Sequence, residues 1–359
     1  MVRADEVRQF EAEPGQFENG LSSYAMSTMC LVARWRQFCI VATERKMPED
    51  GAALLLAMAL GESARLSPEC LQQFRDSGVG HVMAASGLHL GLVYGAIFGA
   101  LRIGGISRRR GIFVVAVGVW LYAALVGFTP SITRALLMCW FSLLASACGR
   151  PGNLGRALAL ALSLALWLDP SQLSEVGFQL SYAAVMGIVM WLEILERLGH
   201  YVAVRFGIYF LPGLRKLGTS FALTIAVSLW VVPLLLFYFG EASWITVVAN
   251  LVVLPPLEIA LGAGLGAWII SSIAFLLPWG WLATGVEWLN TPLWWTCLWS
   301  ERLAVKMVAW LGALAEPWQF VPSASDLLVY YASMLALWFA WWGRQALASE
   351  GKMNARPML

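Results

Sequence analysis

His81, Ser86 and His89 fall within nine residues of one another in "GHVMAASGLHLGLVYGAIFGA", residues 80–100, a stretch with no acid, lysine or arginine. Two imidazoles and a hydroxyl are the raw material of nucleophilic catalysis, which needs a base beside the nucleophile and a third group to orient that base. Here no acid sits at helical spacing, and neither HExxH nor GxSxG occurs anywhere in the chain. The parts of zinc or serine chemistry are therefore missing. Satisfied packing histidines fit the same residues, as do polar groups lining a cavity at membrane depth. No catalytic residue is assigned.

Gly87, Gly91, Gly95 and Gly99 recur every four residues through the same stretch and so share one helix face. In a soluble helix each interior glycine costs about 1 kcal/mol relative to alanine. Between membrane helices, small residues instead let backbones approach closely. A helix-packing seam and a groove lining a pore are the two readings of this row.

Three further constellations join it. In "GFTPSITRALLM", 127–138, Pro130 breaks the chain and Arg134 follows within about a turn. A new helix N-terminus beside a cation is a small anion-binding site at the membrane surface; a snorkelling arginine after a proline-ended loop is the plainer alternative. In "DPSQLSEVGFQLSYAAVMG", 169–187, Asp169 precedes a helix that takes Gln179 and Ser181 into apolar sequence, where interhelical hydrogen bonding competes with substrate contact. In "VPLLLFYFGEASWITVVANLVVLPPLE", 232–258, Asn250 is followed by Pro255 and Pro256. Two missing backbone donors predict a helix break, and broken membrane helices line transport sites.

The elements that position these residues follow from composition. The 359 residues are 59% hydrophobic and 13% charged, with a mean hydropathy of +0.69, too apolar for a water-soluble body. Runs free of charge predict an all-α, polytopic integral membrane helix bundle of about eight to ten transmembrane helices with broken or re-entrant segments. Loops 102–110, 149–156 and 193–216 carry ten basic residues, while 129–134, 169–175 and 240–243 carry Arg134 alone. The positive-inside rule puts the three basic loops in the cytoplasm.

Residues 1–47 read as a polar N-terminal arm or interfacial helix, 48–343 as the transmembrane domain, and 344–359 as a disordered cytoplasmic tail. The six cysteines, at 30, 39, 70, 139, 148 and 297, contain no CxxC and read as free thiols. No metal or cofactor is expected. Nineteen tryptophans, twelve of them from Trp268 onward, fit interfacial belts before they fit base-stacking platforms.

The same segments resemble, in order, the membrane core of the ComEC family of bacterial competence proteins. "GVGHVMAASGLHLGL" (78–92) is similar to its hallmark stretch, and "GFTPSITRA", "DPSQLSEVGFQLS" and "FGEASWITVVANLVVLP" to later signatures. The resemblance implies a non-catalytic channel that passes single-stranded DNA across the bacterial cytoplasmic (inner) membrane during natural transformation. It singles out His81, Ser86, Gly87, His89, Gly91, Arg134, Asp169, Gly177, Gln179 and Asn250, to which the glycine row adds Gly95.

Members of that family commonly add a small β-barrel domain before the core and a metallo-β-lactamase-like domain after it. Residues 1–47 are short for the first, and no HxHxDH motif marks the second. A separate nuclease, a cytoplasmic helicase or ATPase (the chain has no GxxxxGK[ST]) and a periplasmic DNA receptor are thus the expected partners, besides the lipid bilayer. A homodimer through the glycine face also fits. The rival functions are a secondary transporter of a small solute or lipid and an intramembrane hydrolase using His81, Ser86 and His89.

Overall fold

A computed structural model describes residues 20–83, 85–150, 152–205, 212–243, 245–276, 280–315 and 318–354. The first nineteen residues of the expected arm, the end of the expected tail (355–359) and residues 206–211 of the third basic loop lie outside that range. The described chain is helical apart from one two-residue antiparallel pairing, β1 (Glu241–Ala242) with β2 (Trp318–Gln319). Where water is absent, only helices satisfy their backbone groups within one segment.

The helices are α1 (Gly20–Lys46), α2 (Glu49–Leu60), α3 (Pro68–Asp76), α4 (Gly87–Ile103), α5 (Arg108–Val126) and α6 (Pro130–Ala147), then α7 (Leu154–Leu168), α8 (Val176–Arg205), α9 (Pro212–Phe239), α10 (Ile245–Leu276), α11 (Gly280–Ala313) and α12 (Ala324–Asn354). Six of them contain stretches long and apolar enough to cross a membrane: Arg108–Val126, Pro130–Ala147, Val176–Tyr201, Gly218–Phe239, Ile245–Phe275 and Ala324–Arg344. Gly87–Ile103 and Leu154–Leu168 are shorter apolar helices. Large apolar side chains such as Phe113, Leu144, Trp167, Ile269 and Leu328 point outward, which a lipid surface accepts and water does not. This is a multi-pass membrane protein.

The chain divides into two compact units. The first holds residues 1–75, 79–152 and 253–310. Its core packs α4, α5 and α6 through Leu90, Val115, Val119, Ala123, Ile132 and Leu136. From residue 20 the expected arm is a helix built into this unit. Trp35, Cys39 and Thr43 recur at four-residue spacing; the Trp35 indole donates to Ser272 Oγ at 2.9 Å, and Trp268 Nε1 donates to buried Thr43 Oγ1 at 2.8 Å. Neighbouring side chains also take up carbonyls that helix ends leave over. Tyr122 Oη donates to Ala59 O in the last turn of α2 at 3.2 Å, and Arg36 Nε to Leu125 O in the last turn of α5 at 3.1 Å.

The second unit holds residues 76–78, 153–252 and 311–359, with α8 packed along α9. Gly187 makes that approach close: a Cβ there would overlap the Ala226 carbonyl oxygen of α9. Pro233 lies inside α9 and withdraws the N–H that would otherwise bond the Leu229 carbonyl. Tyr330 of α12 donates its hydroxyl to that same Leu229 oxygen at 2.9 Å, and Tyr331 bonds Trp230 O at 2.6 Å.

Two expectations need correcting. Pro255 and Pro256 do not interrupt their helix, since α10 runs unbroken from Ile245 to Leu276 around them. The φ of proline matches the helical value, so the pair withdraws two N–H donors while the helix continues through them. Past residue 344, α12 continues to Asn354, through a stretch that carries helix formers such as Gln345, Ala346, Leu347 and Ala348.

Two outcomes test this packing in detergent-purified protein. Gly187→Ala should destabilise the fold by roughly 1–3 kcal/mol through overpacking, seen as a lower thermal midpoint, while Gly199→Ala, which meets nothing within 4 Å, should not. Tyr330→Phe should cost about 1–3 kcal/mol by leaving a carbonyl unpaired. That loss should shrink in a Pro233→Ala background, where the restored N–H takes the same oxygen; equal losses in both backgrounds would remove the pairing argument.

Candidate functional site

In the first unit, a short 3-10 turn over Gly80–Met83 leads into α4, with Ser86 as its N-cap. His81 is exposed and His89 buried, at 2% exposure. The His89 ring sits in the first turn of α4, where backbone donors lack intrahelical partners. Its Nδ1 accepts the Ser86 N–H at 3.3 Å. The ring is also hydrogen-bonded to the backbone of Met58, in the last turn of α2. With Nδ1 accepting, the remaining Nε2–H can only donate, so its partner is the Met58 carbonyl. One imidazole thus joins the start of α4 to the end of α2, with both nitrogens engaged. It offers no free lone pair for a metal or for base catalysis. Among the described residues, no group of three or more His, Cys, Asp or Glu gathers to hold a metal ion.

The glycine row behaves in two ways. At Gly87 a Cβ would lie 3.2 Å from the Ala135 Cβ of α6, so this position is a packing contact. At Gly91, Gly95 and Gly99 nothing lies within 4 Å. Beside the open part of the row, Tyr94 and Phe98 stack with ring centroids 6.0 Å apart and an interplanar angle of 7°. Phe98 is 44% exposed. The spacing of these two aromatics was visible in the sequence, but their position flanking open space was not.

The "GFTPSITRA" segment forms a tight reversal. Gly127 ends α5 at φ +89° and Phe128 follows at φ +52°, a left-handed conformation that is strained for a bulky residue. The Phe128 ring packs on Trp120, with centroids 5.9 Å apart. Pro130 is the first residue of α6, where its missing N–H removes no bond. Thr133 Oγ1 bonds the Phe128 and Thr129 carbonyls at 3.0 and 3.1 Å. Arg134 is only 5% exposed, so it is a buried cation of this unit and not a snorkelling surface charge. Pro255 and Pro256 belong to the same unit.

Asp169, Gln179 and Asn250 belong to the second unit. Asp169 caps the 3-10 turn Pro170–Ser174, accepting the Ser171 hydroxyl at 2.6 Å and its N–H at 3.0 Å. These bonds, the hydroxyl first, hold its carboxyl below the ordinary aspartate range. Gln179 donates to Leu173 O at 2.9 Å and accepts from Tyr238 Oη at 2.7 Å, so one end of its amide ties α8 to the Pro170–Ser174 turn before it and the other to α9. Asn250 Oδ1 is buried with no hydrogen-bond partner among the described residues, an acceptor that water or a ligand would have to satisfy. Sequence reasoning overlooked Glu301, a buried acid of α11. Its signal was an acid in otherwise apolar sequence, disguised as a span end by Arg302 beside it.

Residues 58–345 match the Competence protein family. The chain is 26% identical to ComE operon protein 3 of Bacillus subtilis (strain 168) over 259 residues, covering 71% of this chain and 31% of that protein. Recombination protein 2 of Haemophilus influenzae is 29% identical over 215 residues, 56% of this chain and 26% of the relative. Competence protein ComA of Neisseria gonorrhoeae is 31% identical over 154 residues, 39% and 21% of the two chains. The chain thus spans less than a third of the length of these curated relatives. No solved structure matches it. The matched region takes in α4, the reversal before α6, the Asp169 turn and Asn250, and by that match the chain belongs to the competence protein family.

Proposed function

We propose that this protein is the membrane core of a DNA-uptake system, and that a single strand of DNA crosses the inner membrane along the open glycine row of α4. The observation that carries the reading is the empty space facing Gly91, Gly95 and Gly99, on a helix whose start is fixed by the Ser86–His89 bond. Without side chains in the way, an extended polymer can lie against the helix backbone. Single strands bind by stacking bases on aromatic rings while cations follow the phosphates. The Tyr94–Phe98 pair beside the row supplies the rings, and Arg134 is the buried cation of the same unit. Membership of a family named for competence supports the substrate.

Orientation follows from charge. Arg108, Arg109 and Arg110 open α5, where the helix dipole favours acids over bases. Helix stability does not explain three arginines there, but retention on the cytoplasmic side does. Loops 102–110, 149–156 and 193–216 therefore face the cytoplasm in this proposal. A helicase or ATPase on that side would supply the energy, with a periplasmic DNA receptor and a separate nuclease completing the path. The open row also suits a second copy of the chain, because small residues permit close helix contact.

In a strain lacking the native gene, Gly95→Leu should reduce uptake of labelled DNA by about tenfold or more, the effect of ~1.4 kcal/mol on a barrier, at unchanged protein level. Arg134→Ala should lower it in the same direction. Undiminished uptake in both variants would transfer the protein to small-solute or lipid transport. A Gly95→Cys variant adds a separate readout: efficient disulfide cross-linking between two copies would reassign the row to a dimer seam.

A further inference from the structure

We propose that Glu301 is a proton-binding site, and that release of its proton is tied to the separation of α11 from the Met47–Gly51 corner that joins α1 to α2. This goes beyond the passage of a strand and does not depend on it. The carboxyl is 2% exposed. Its Oε1 lies 3.9 Å from Cys297 Sγ, which in turn lies 3.9 Å from Met47 Sδ; Cys297 is fully buried and Met47 is 6% exposed. The other oxygen, Oε2, is buried with no hydrogen-bond partner among the described residues. Gly51 makes the space it occupies, since a Cβ at that position would stand 2.9 Å from Oε2.

The groups around the carboxyl decide its chemistry. On α11 the titratable neighbour is the Cys297 thiol; Arg302 is exposed and stacked over Trp299, at 5.9 Å to the ring centroid, and Lys306 is exposed. From the corner come the Met47 thioether and the Gly51 backbone. Lys46, just before it, is engaged with Glu287 at 3.1 Å, and Glu49 and Asp50 are exposed. No described ion pair reaches Glu301. A carboxylate here would have no cation and only a weak thiol donor, and uncompensated buried charge carries a heavy desolvation penalty. The closed pocket therefore accepts the neutral acid, and ionisation requires water to enter. Proton loss and opening are two sides of one equilibrium. The sign follows: above the ordinary glutamate value, about 4.3, the closed form holds more protons than the open form, so rising pH favours opening.

The test uses the full chain in detergent and reads the peptide carrying Cys297 by mass spectrometry. A water-soluble maleimide reports opening through the rate of Cys297 labelling. Thiolate formation alone raises that rate with pH in any variant, so the comparison is with Glu301→Gln, which has no proton to release. The wild-type rate should climb about tenfold more per pH unit than the Gln rate, one proton's linkage. Parallel slopes would overturn the proposal. A second measurement needs no variant: dicyclohexylcarbodiimide, which attacks protonated carboxyls in apolar surroundings, should label Glu301 at neutral pH and lose that labelling as pH rises. Failure to label Glu301 at neutral pH, or labelling independent of pH, would equally overturn it.

Discussion

Carbonyl oxygens released from helical bonding have nowhere to go in an apolar protein, and this constraint shapes the packing of both units. In water such groups would be solvated; inside a membrane each needs a donor from the protein itself. The end of α2 takes donors from Tyr122 and His89, and the end of α5 takes one from Arg36. The carbonyl freed by Pro233 takes one from Tyr330. Polar contacts at helix ends and breaks thus add to close packing in ordering the helices within each unit, since lipid can match the apolar character of a neighbour but not its fit.

The same constraint separates groups in structural service from groups left available. His89 and Gln179 have the chemistry expected of a lining residue, yet the hydrogen bonds of both serve to tie helices to their neighbours. Asp169 is committed to its own turn. Among the described residues, the groups left unengaged include ones different in kind: the bare backbone surface at Gly91, Gly95 and Gly99, the Asn250 acceptor and one oxygen of Glu301. A family signature therefore mixes residues committed to holding the scaffold together with residues whose polar atoms or bare backbone stay unengaged.

Much of this was legible from the chain alone. Charge-free runs and ordered motifs gave the helical membrane class and the family, because both depend on local composition and spacing. Pro255 and Pro256 misled, since a missing donor is visible in sequence while the ability of a long helix to absorb it is not. Residues 20–46 looked like an arm because Arg34, Arg36, Glu44 and Arg45 dilute their hydropathy. The Trp35–Cys39–Thr43 stripe that docks α1 emerges only with its partners on α10. Glu301 stayed hidden for a related reason, as its pocket is built by Met47 and Gly51, some 250 positions earlier in the chain.

The left-handed backbone at Phe128 carries a consequence for how this fold can drift. Glycine would relax the turn but abandon the ring's seat on Trp120, and a bulky aliphatic residue would keep the strain without a ring to seat there. What a change at Phe128 costs therefore depends on the residue at position 120, and the reverse holds as well. Through this pair, a ring on one membrane helix meets the residue that leads into the next one, the helix that carries Arg134.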